Sequence, residues 1–190
     1  MEHFLQGNKI AKGNNSMAEK ILGETRRNLI LQWLLDSTIP ITGNELAEKT
    51  NVSRQVIVQD ISILKARSHK ILATSQGYMY LREQQGKVTQ IIACCHTPEE
   101  SEKELTIIVD HGVSVKDVVI EHPIYGDLTA SLMVSNRKEV KDFIQKVKQT
   151  NALLLSELTN GIHLHTIEAN NQNQIEEVKK ALQKEGLLIQ

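Results

Sequence analysis

The sequence predicts an α+β protein with an N-terminal winged helix-turn-helix and a C-terminal two-layer sandwich of helices on a sheet. Its 190 residues suffice for one or two small domains. The pattern of apolar residues changes from helical to mixed beyond a polar linker at residues 81–87. Charge changes near the same point, since residues 1–85 carry 11 basic and 8 acidic side chains and residues 86–190 carry 11 and 15. A mildly basic domain followed by an acidic one is therefore expected.

The composition narrows the class of protein. Apolar residues make up 40% and charged residues 24% of the chain, as in folded globular domains. Aromatic residues are only 3%, which argues against an aromatic RNA-binding sheet or a sugar-stacking groove. The longest apolar runs, such as residues 29–35, are too short to cross a membrane. Residues 1–16 lack the apolar core of a signal peptide, so we expect a cytoplasmic protein with a flexible N-terminal extension over these residues.

Residues 17–82 predict a DNA-binding domain. A helical stripe of apolar residues runs through residues 17–36. A short helix at 44–50 and an amphipathic helix at 54–67 follow, joined by the tight connection Asn51–Val52. This arrangement is typical of a helix-turn-helix. The β-rich segments ILATS and YMYL come next, and the turn signal Gln76–Gly77 between them predicts a hairpin wing.

The start of the second helix of the motif presents polar side chains away from the apolar face of that helix. These residues are Ser53, Arg54, Gln55 and Gln59. Such side chains can donate to phosphates and to base edges in a major groove. Each of them could instead belong to a solvated helical face, and the residues alone leave both interpretations open. Double-stranded DNA is the partner that the motif and its wing predict together.

Residues 87–190 predict a second domain in which strands and helices alternate. The expected order is β-α-β-β-α-β-β-α, with strands at residues 88–96, 115–123, 127–135, 153–158 and 162–169 and helices at 98–112, 136–149 and 173–186. Thr159–Gly161 is a hairpin turn signal between the last two strands. This order predicts a two-layer sandwich with its helices on one face of the sheet.

Histidines in this second domain suggest a metal site. His163 and His165 are two residues apart in a predicted strand, so their imidazoles point to the same sheet face. Such a pair is typical of divalent metal sites, although exposed strand histidines would have the same spacing. His96 ends the first predicted strand and Glu104 lies on the following helix, so these two could converge at a corner. Three imidazoles and one carboxylate would suit zinc, nickel or iron(II).

Two motifs in the second domain are specific, namely EHPIYGDLTA at residues 121–130 and GIHLHT at 161–166. Together with LAEKTNVSRQVIVQDISILKA, ATSQGYMY, IIACCH and NRKEV, they make the chain resemble a known family. The chain is similar to the niacin-responsive transcriptional repressors of Gram-positive bacteria and their relatives. These proteins pair a biotin-repressor-type winged helix-turn-helix with a three-histidine (3H) domain, and the resemblance covers about residues 20–188.

The resemblance implies a function and a set of site residues. The implied metal ligands match His96, Glu104, His163 and His165, and the implied sandwich resembles the phosphocarrier HPr fold. The family also implies a homodimer that binds operators of NAD-biosynthesis or niacin-transport genes when nicotinic acid, the co-repressor, is present. We expect nicotinic acid to bind at or beside the metal, with His122 and Tyr125 as candidates for lining its pocket. His122 could equally be a turn histidine, because it precedes a proline at a strand end.

Two other functions are compatible with the residues. A metal-dependent hydrolase tethered to DNA would need an open metal position and a general base, for which Asp127 and Glu121 are the available candidates. A metal- or redox-sensing regulator would act through Cys94, Cys95 and the histidines, and its metal dependence would not require niacin. We interpret the adjacent cysteines as reduced structural thiols, and we expect a repressor that is not an enzyme.

Overall fold

The structure, a computed structural model, describes residues 22–81 and 86–189. The flexible extension predicted for residues 1–16 lies outside the described residues, as does the beginning of the first predicted helix. Two hydrophobic clusters form the interior, one in each half of the chain. Within the described residues, no helix is long and apolar enough to cross a membrane.

The N-terminal half contains the predicted helix-turn-helix. Its three helices are α1 (Gly23–Asp36), α2 (Gly43–Thr50) and α3 (Arg54–Ala66). The Thr42 and Ser53 side chains begin α2 and α3, because each hydroxyl accepts a backbone N–H from the first turn of its helix. Between the two helices, Asn51 adopts the left-handed conformation (φ 51°, ψ 48°), which asparagine tolerates better than most residues. This single residue turns the chain from α2 into α3.

A buried ion pair joins the first and third helices. The Arg26 guanidinium of α1 donates from Nε to Oδ2 of Asp60 on α3 at 2.5 Å, and both side chains are almost fully buried. Charged groups are buried at little cost only when they are paired and hydrogen-bonded. Ile30, Leu46 and Ile57 bring one apolar residue from each helix into the core. The apolar stripes predicted from the sequence therefore meet in one cluster.

The wing follows the helices as a short antiparallel hairpin. Its strands are β1 (Ile71–Thr74) and β2 (Gly77–Tyr80). The turn residues are Ser75 and Gln76, one position before the predicted turn, because Gly77 already pairs with the other strand. Gly77 has φ of +143°, and a Cβ there would lie 2.6 Å from the carbonyl oxygen of Ile41. Only glycine fits this close approach, which lets Tyr78 pair with Ile41 in front of α2.

The C-terminal half is a four-stranded antiparallel sheet with helices on one face. Its elements are β3 (Val88–Cys95), α4 (Ser101–Asp110), β4 (Ser114–His122), β5 (Gly126–Val134), α5 (Arg137–Thr150), β6 (Ile162–Ala169) and α6 (Gln172–Lys184). The strand order is β3-β6-β4-β5. Ile92, Val115 and Ile167 point to the helices and are buried, whereas Ile91 and Ile162 are exposed on the opposite face. The predicted α+β class is confirmed.

One predicted strand is absent from the sheet. Residues 153–158 were expected to pair with β6, but the structure has a 3-10 helix at Leu155–Thr159. The Glu157 carboxylate accepts the backbone N–H of Leu154 at 2.7 Å and so caps this helix, and Ser156 rather than a leucine is its buried residue. The prediction of a fifth strand is therefore wrong, and the order of this half is β-α-β-β-α-β-α. Asn160 and Gly161 do form a turn, but it connects the 3-10 helix to β6.

Candidate metal centre and nucleic-acid interface

The structure brings together all four residues that were predicted to be metal ligands. His96 follows β3, Glu104 lies on α4, and His163 and His165 lie on β6. The Glu104 carboxylate oxygen Oε2 lies 2.7 Å from Nε2 of His96 and 3.3 Å from Nε2 of each of the other two histidines. All four side chains are buried beneath the helices. We call them the three-histidine cluster.

Strand alternation and one glycine position this cluster. His163 and His165 point to the helix-covered face of the sheet because they occupy alternate positions of β6. Gly161, with φ of +89°, lies so close to His96 that a Cβ would collide with the carbonyl oxygen of that residue. The same glycine offers its own carbonyl to His163 at 2.8 Å. A side chain at position 161 would therefore separate two of the three imidazoles.

The orientation of each imidazole ring is fixed by a backbone carbonyl. His96 donates from Nδ1 to the carbonyl of Thr97 at 2.8 Å, and His165 donates from Nδ1 to that of Asp117 at 2.6 Å. His163 makes the equivalent bond to Gly161. A carbonyl can only accept, so each Nδ1 carries a proton and each Nε2 is left facing Glu104. This arrangement is the usual one for metal-binding histidines.

The electrostatics of the cluster favour a cation at its centre. Burial alone would raise the pKa of Glu104, but the three imidazoles outweigh burial and hold that pKa well below its usual value. Burial would likewise lower the pKa of His96 and of His165, yet the Glu104 carboxylate raises both. Three lone pairs and a carboxylate that face one another repel unless protons or a metal ion lie between them. The cluster is therefore built to hold positive charge.

One atom of the cluster has no partner among the described residues. The second carboxylate oxygen of Glu104, Oε1, is buried and makes no hydrogen bond there. A buried carboxylate oxygen without a donor is costly. A bound divalent ion would satisfy this oxygen, and a set of nitrogen and oxygen ligands suits zinc, nickel or iron(II). The donor set therefore fits the metal that the resemblance implies.

Cys94 also lies at the cluster, although the sequence interpretation treated it as a structural thiol. Its Sγ and one ligand atom each of Glu104 and His163 all lie within 4.8 Å of one another. Burial, and then the Glu104 charge, raise the pKa of the Cys94 thiol. Alternation could have located this residue, because Ile92, Cys94 and His96 occupy every second position of one strand. Cys95 is exposed and has no part in the cluster.

A cavity adjoins the three-histidine cluster. His163, His165 and Glu104 form one end of its lining. Its other walls are largely apolar and come from α4, β4, β5 and α5, through Leu105, Val118, Leu132 and Phe143. The hydroxyl-bearing residues Ser101 and Ser156 also line it. Apolar walls with a few convergent polar groups are typical of small-molecule sites.

The residues predicted to line an effector pocket are not in the lining of this cavity. His122 and Tyr125 lie at the β4–β5 turn, where Nδ1 of His122 accepts the backbone N–H of Ile124 at 3.2 Å and that of Tyr125 at 3.3 Å. The two rings stack with centroids 4.9 Å apart. Tyr125 is 73% exposed. These contacts make His122 a turn histidine in the structure, and its predicted effector contact stays a prediction.

The four residues predicted to contact DNA are all exposed at the start of α3. They are Ser53, Arg54, Gln55 and Gln59. The Ser53 hydroxyl accepts a helix N–H, and its own O–H remains available to donate to a phosphate or base. Val58, which was not among the predicted contacts, is 41% exposed beside Gln55 and Gln59. An apolar side chain in this position can contact a thymine methyl group.

The two halves define a class of protein, a DNA-binding transcription regulator in which a winged helix-turn-helix is joined to a separate α+β domain. Family models match each half. The 3H domain model matches residues 89–190, and a model of an HTH domain matches residues 26–79. The two matches leave residues 1–25 and 80–88 uncovered.

Two relatives are similar to the chain over nearly its whole length. The transcription repressor NadR of Bacillus subtilis (strain 168) is 55% identical over 173 residues, or 90% of this chain and 96% of that protein. The probable transcription repressor NiaR of Thermotoga maritima is 38% identical over 174 residues, or 92% and 99%. The chain therefore belongs to the niacin-responsive transcriptional repressor family with a 3H domain. It is a DNA-binding regulator and not an enzyme, so the hydrolase alternative is set aside.

Proposed function

We propose that this protein represses transcription in response to nicotinic acid, and that a divalent transition metal in its C-terminal domain helps to bind that acid. The observation that supports the proposal is the buried three-histidine cluster, whose Nε2 lone pairs and carboxylate converge beside a largely apolar cavity. The names of the two relatives support repression as the outcome. NAD-biosynthesis and niacin-uptake genes are the proposed targets.

The chain's own residues would hold the metal without rearranging their backbone contacts. His96, Glu104, His163 and His165 are the proposed ligands, and the carbonyls that accept from each Nδ1 keep the rings in place. When bound, the ion supplies a positive charge and a coordination position for a carboxylate or a pyridine nitrogen. Because metal binding requires neutral imidazoles, occupancy should fall as the histidines become protonated.

The adjoining cavity is the proposed site of nicotinic acid. Its leucine, valine and phenylalanine side chains suit the face of a pyridine ring. The acid would direct its charged end to the cluster, whereas nicotinamide lacks the carboxylate and should bind more weakly. His122 and Tyr125 remain candidates for contacts at the β4–β5 turn, outside the lining of this cavity.

Operator binding is assigned to α3 and to a pair of subunits. Ser53, Arg54, Gln55 and Gln59 would contact phosphates and base edges in the major groove. One small winged domain contacts little DNA, so a homodimer on a two-fold operator would double the number of specific contacts. Nicotinic acid acts as co-repressor if it binds the DNA-competent dimer more tightly than the incompetent one.

A mobility-shift titration on the protein's own upstream region tests this function. We expect nicotinic acid to raise operator affinity, nicotinamide to have a smaller effect, and a chelator to remove the response. A calorimetric titration of metal-loaded and metal-stripped protein then locates the acid. Equal nicotinate affinity in the two forms would separate the ligand from the metal. Equal operator affinity with and without nicotinic acid would overturn the niacin response.

A metal-sensing regulator is the second candidate, because the Cys94 thiol lies at the three-histidine cluster. In that case the metal alone would change operator affinity, and nicotinic acid would have no further effect. The same titration distinguishes the two functions when metal and nicotinic acid are added separately. A Cys94→Ser variant that keeps its full nicotinate response would argue against any part for the thiol.

A further inference from the structure

The wing turn is attached to the C-terminal domain by every polar group of one residue. The Ser75 hydroxyl donates to the Leu132 carbonyl at 2.7 Å, and its backbone N–H donates to the Ser131 carbonyl at 3.2 Å. The Ser75 carbonyl accepts from Nζ of Lys146 on α5 at 2.7 Å. Gln76 adds a longer contact from its side-chain amide to the carbonyl of Glu139. The tip of the wing is thus bonded to β5 and α5.

A bulge in β5 makes these carbonyls available. β5 is an edge strand of the sheet, so its outer backbone groups have no neighbouring strand. The register with β4 shifts between Val115 and Asp117, where two residues of β5, Leu132 and Met133, lie opposite one residue of β4. Met133 has φ of +56°, a conformation that a side-chain-bearing residue adopts only where the surrounding structure enforces it. The bulge ends regular pairing at the point where the wing attaches.

The segments that hold the wing also form walls of the cavity beside the three-histidine cluster. The Leu132 carbonyl accepts from Ser75, and the Leu132 side chain lines the cavity. On α5, Phe143 lines the cavity, and Lys146 lies one helical turn further along. A molecule in the cavity would therefore contact the same two elements that bind the wing turn.

The hairpin wing is also connected to the segment that precedes α2. Tyr78 of β2 exchanges two backbone hydrogen bonds with Ile41, both of 2.8 Å. Thr42, the next residue, caps α2. The close approach of Gly77 to Ile41 leaves little freedom in this connection. A displacement of the wing turn therefore changes the position of the segment from which α2 begins.

We propose that Ser75 and Lys146 are positioning residues for operator binding, through which occupancy of the cavity alters the placement of the helix-turn-helix. The inference rests on the proposed function, since it takes nicotinic acid as the occupant. Neither residue touches the cavity or the DNA-contacting face of α3. Their contribution is to the coupling between the two sites, and not to the affinity of either site alone. The cleft between the halves, lined by Tyr80, Lys116 and Met133, leaves room for such a movement.

The test measures coupling, which is the ratio of operator affinities with and without nicotinic acid, in the full-length metal-loaded protein. The variants are Ser75→Ala and Lys146→Met, and the conservative variants Ser75→Thr and Lys146→Arg keep a donor in each place. Lys148→Met is the matched control on α5, since Lys148 pairs with Glu102 and not with the wing. Calorimetry gives the nicotinate affinity of each variant without DNA, and circular dichroism checks its fold.

We expect the wild type to show coupling of ~5–150-fold. Ser75→Ala and Lys146→Met should each reduce this ratio by ~2–10-fold, which is the range for the loss of one hydrogen bond. Nicotinate affinity without DNA should be unchanged, and Ser75→Thr, Lys146→Arg and Lys148→Met should keep wild-type coupling. Full coupling in both Ser75→Ala and Lys146→Met would overturn the inference and leave the proposed function standing. Equal loss in Ser75→Ala and Ser75→Thr would also overturn it, because packing would then be responsible. A wild type without any nicotinate response would overturn the proposed function and the inference together.

Discussion

At the scale of single residues, the three-histidine cluster depends on which nitrogen each ring presents. Backbone carbonyls hold all three Nδ1 atoms, so the Nε2 atoms are left for a ligand. The sequence could predict that His163 and His165 share a face, because strand alternation is regular. Spacing alone left it open whether His96 and Glu104 meet them, because this contact depends on how α4 packs on the sheet, and the full set of four was expected from the resemblance. The sequence could not predict the role of Gly161, whose close approach to His96 exists only in three dimensions.

Removal of two imidazoles should abolish metal binding. We expect purified His163→Ala/His165→Ala protein to retain much less than one metal ion per chain, because two of four proposed ligands are lost. Elemental analysis measures the content, and circular dichroism shows whether the variant is folded. His111→Ala is the control, since His111 bonds to the carbonyl of Ile107 away from the cluster. Stoichiometric metal in the double variant would contradict the proposed site.

The pH dependence of stability should differ between the metal-stripped and metal-loaded proteins. In the metal-stripped protein, the pKa values of His96 and His165 are raised above the ordinary histidine value of about 6.5. The protonated histidines therefore stabilise the fold fully below about pH 6.5, and this stabilisation is lost as pH rises through the folded-state pKa values. The lowered pKa of Glu104 gives stability that is present above about pH 4.5 and lost as pH falls. The metal-stripped protein should therefore be most stable between about pH 4.5 and 6.5.

The metal-loaded protein should show the opposite trend above pH 6.5, because deprotonated imidazoles bind the ion more tightly. Thermal unfolding of both forms from acid to alkaline pH measures the difference. A Glu104→Gln variant is the control, since it removes the carboxylate that raises the histidine pKa values. If both forms of the wild type had the same profile, no ion would be coupled to these histidines.

At the scale of elements, the helices of the helix-turn-helix were predicted closely, whereas one apolar run in the C-terminal half was not. The helices expected at 44–50 and 54–67 are α2 and α3 of the structure, where Thr42 and Ser53 cap them and Asn51 separates them. The run at residues 153–158 has the composition of a strand, but Glu157 caps a 3-10 helix there. Two of its leucines, Leu153 and Leu158, remain exposed. Apolar composition alone could not distinguish a strand from a short helix that covers the end of the sheet.

The N-terminal turn of α3 should determine operator affinity. We expect Arg54→Ala and Gln55→Ala each to weaken specific binding by ~1–3 kcal/mol, with the thermal unfolding temperature unchanged because both side chains are exposed. Mobility shifts at matched salt measure this effect, and Gln149→Ala, at an exposed position of α5, is the control. If Arg54 contacts a phosphate, Arg54→Ala should also reduce the slope of log operator affinity against log salt concentration by about one. Normal affinity in both variants would remove α3 from the interface.

At the scale of the whole molecule, the two halves were visible in the sequence, but their contact was not. The change in periodicity and charge near residues 81–87 indicated two units. Nothing in the residue pattern indicated that Ser75 would bond to β5, because that bond joins positions 57 residues apart. The two halves are covalently joined through residues 81–87. The structure adds a second, non-covalent connection.

A repressor of this kind should form a homodimer. Two-fold pairing would place two α3 helices on the half-sites of a symmetric operator. Light scattering at working concentration should give twice the monomer mass, and the operator complex should contain two chains. Measurements with and without nicotinic acid show whether the ligand changes the association. A monomer mass under every condition, including on DNA, would exclude the dimer.

The attachment of the wing to β5 has a consequence for fragments of the protein. In a fragment that begins after residue 86, the carbonyls of Ser131 and Leu132 would lose the donors that Ser75 provides. An uncovered edge strand of this kind tends to pair with the edge of another molecule. The isolated C-terminal domain should therefore aggregate more readily than the intact chain. Solubility of the C-terminal half would then depend on a hairpin that belongs to the N-terminal half.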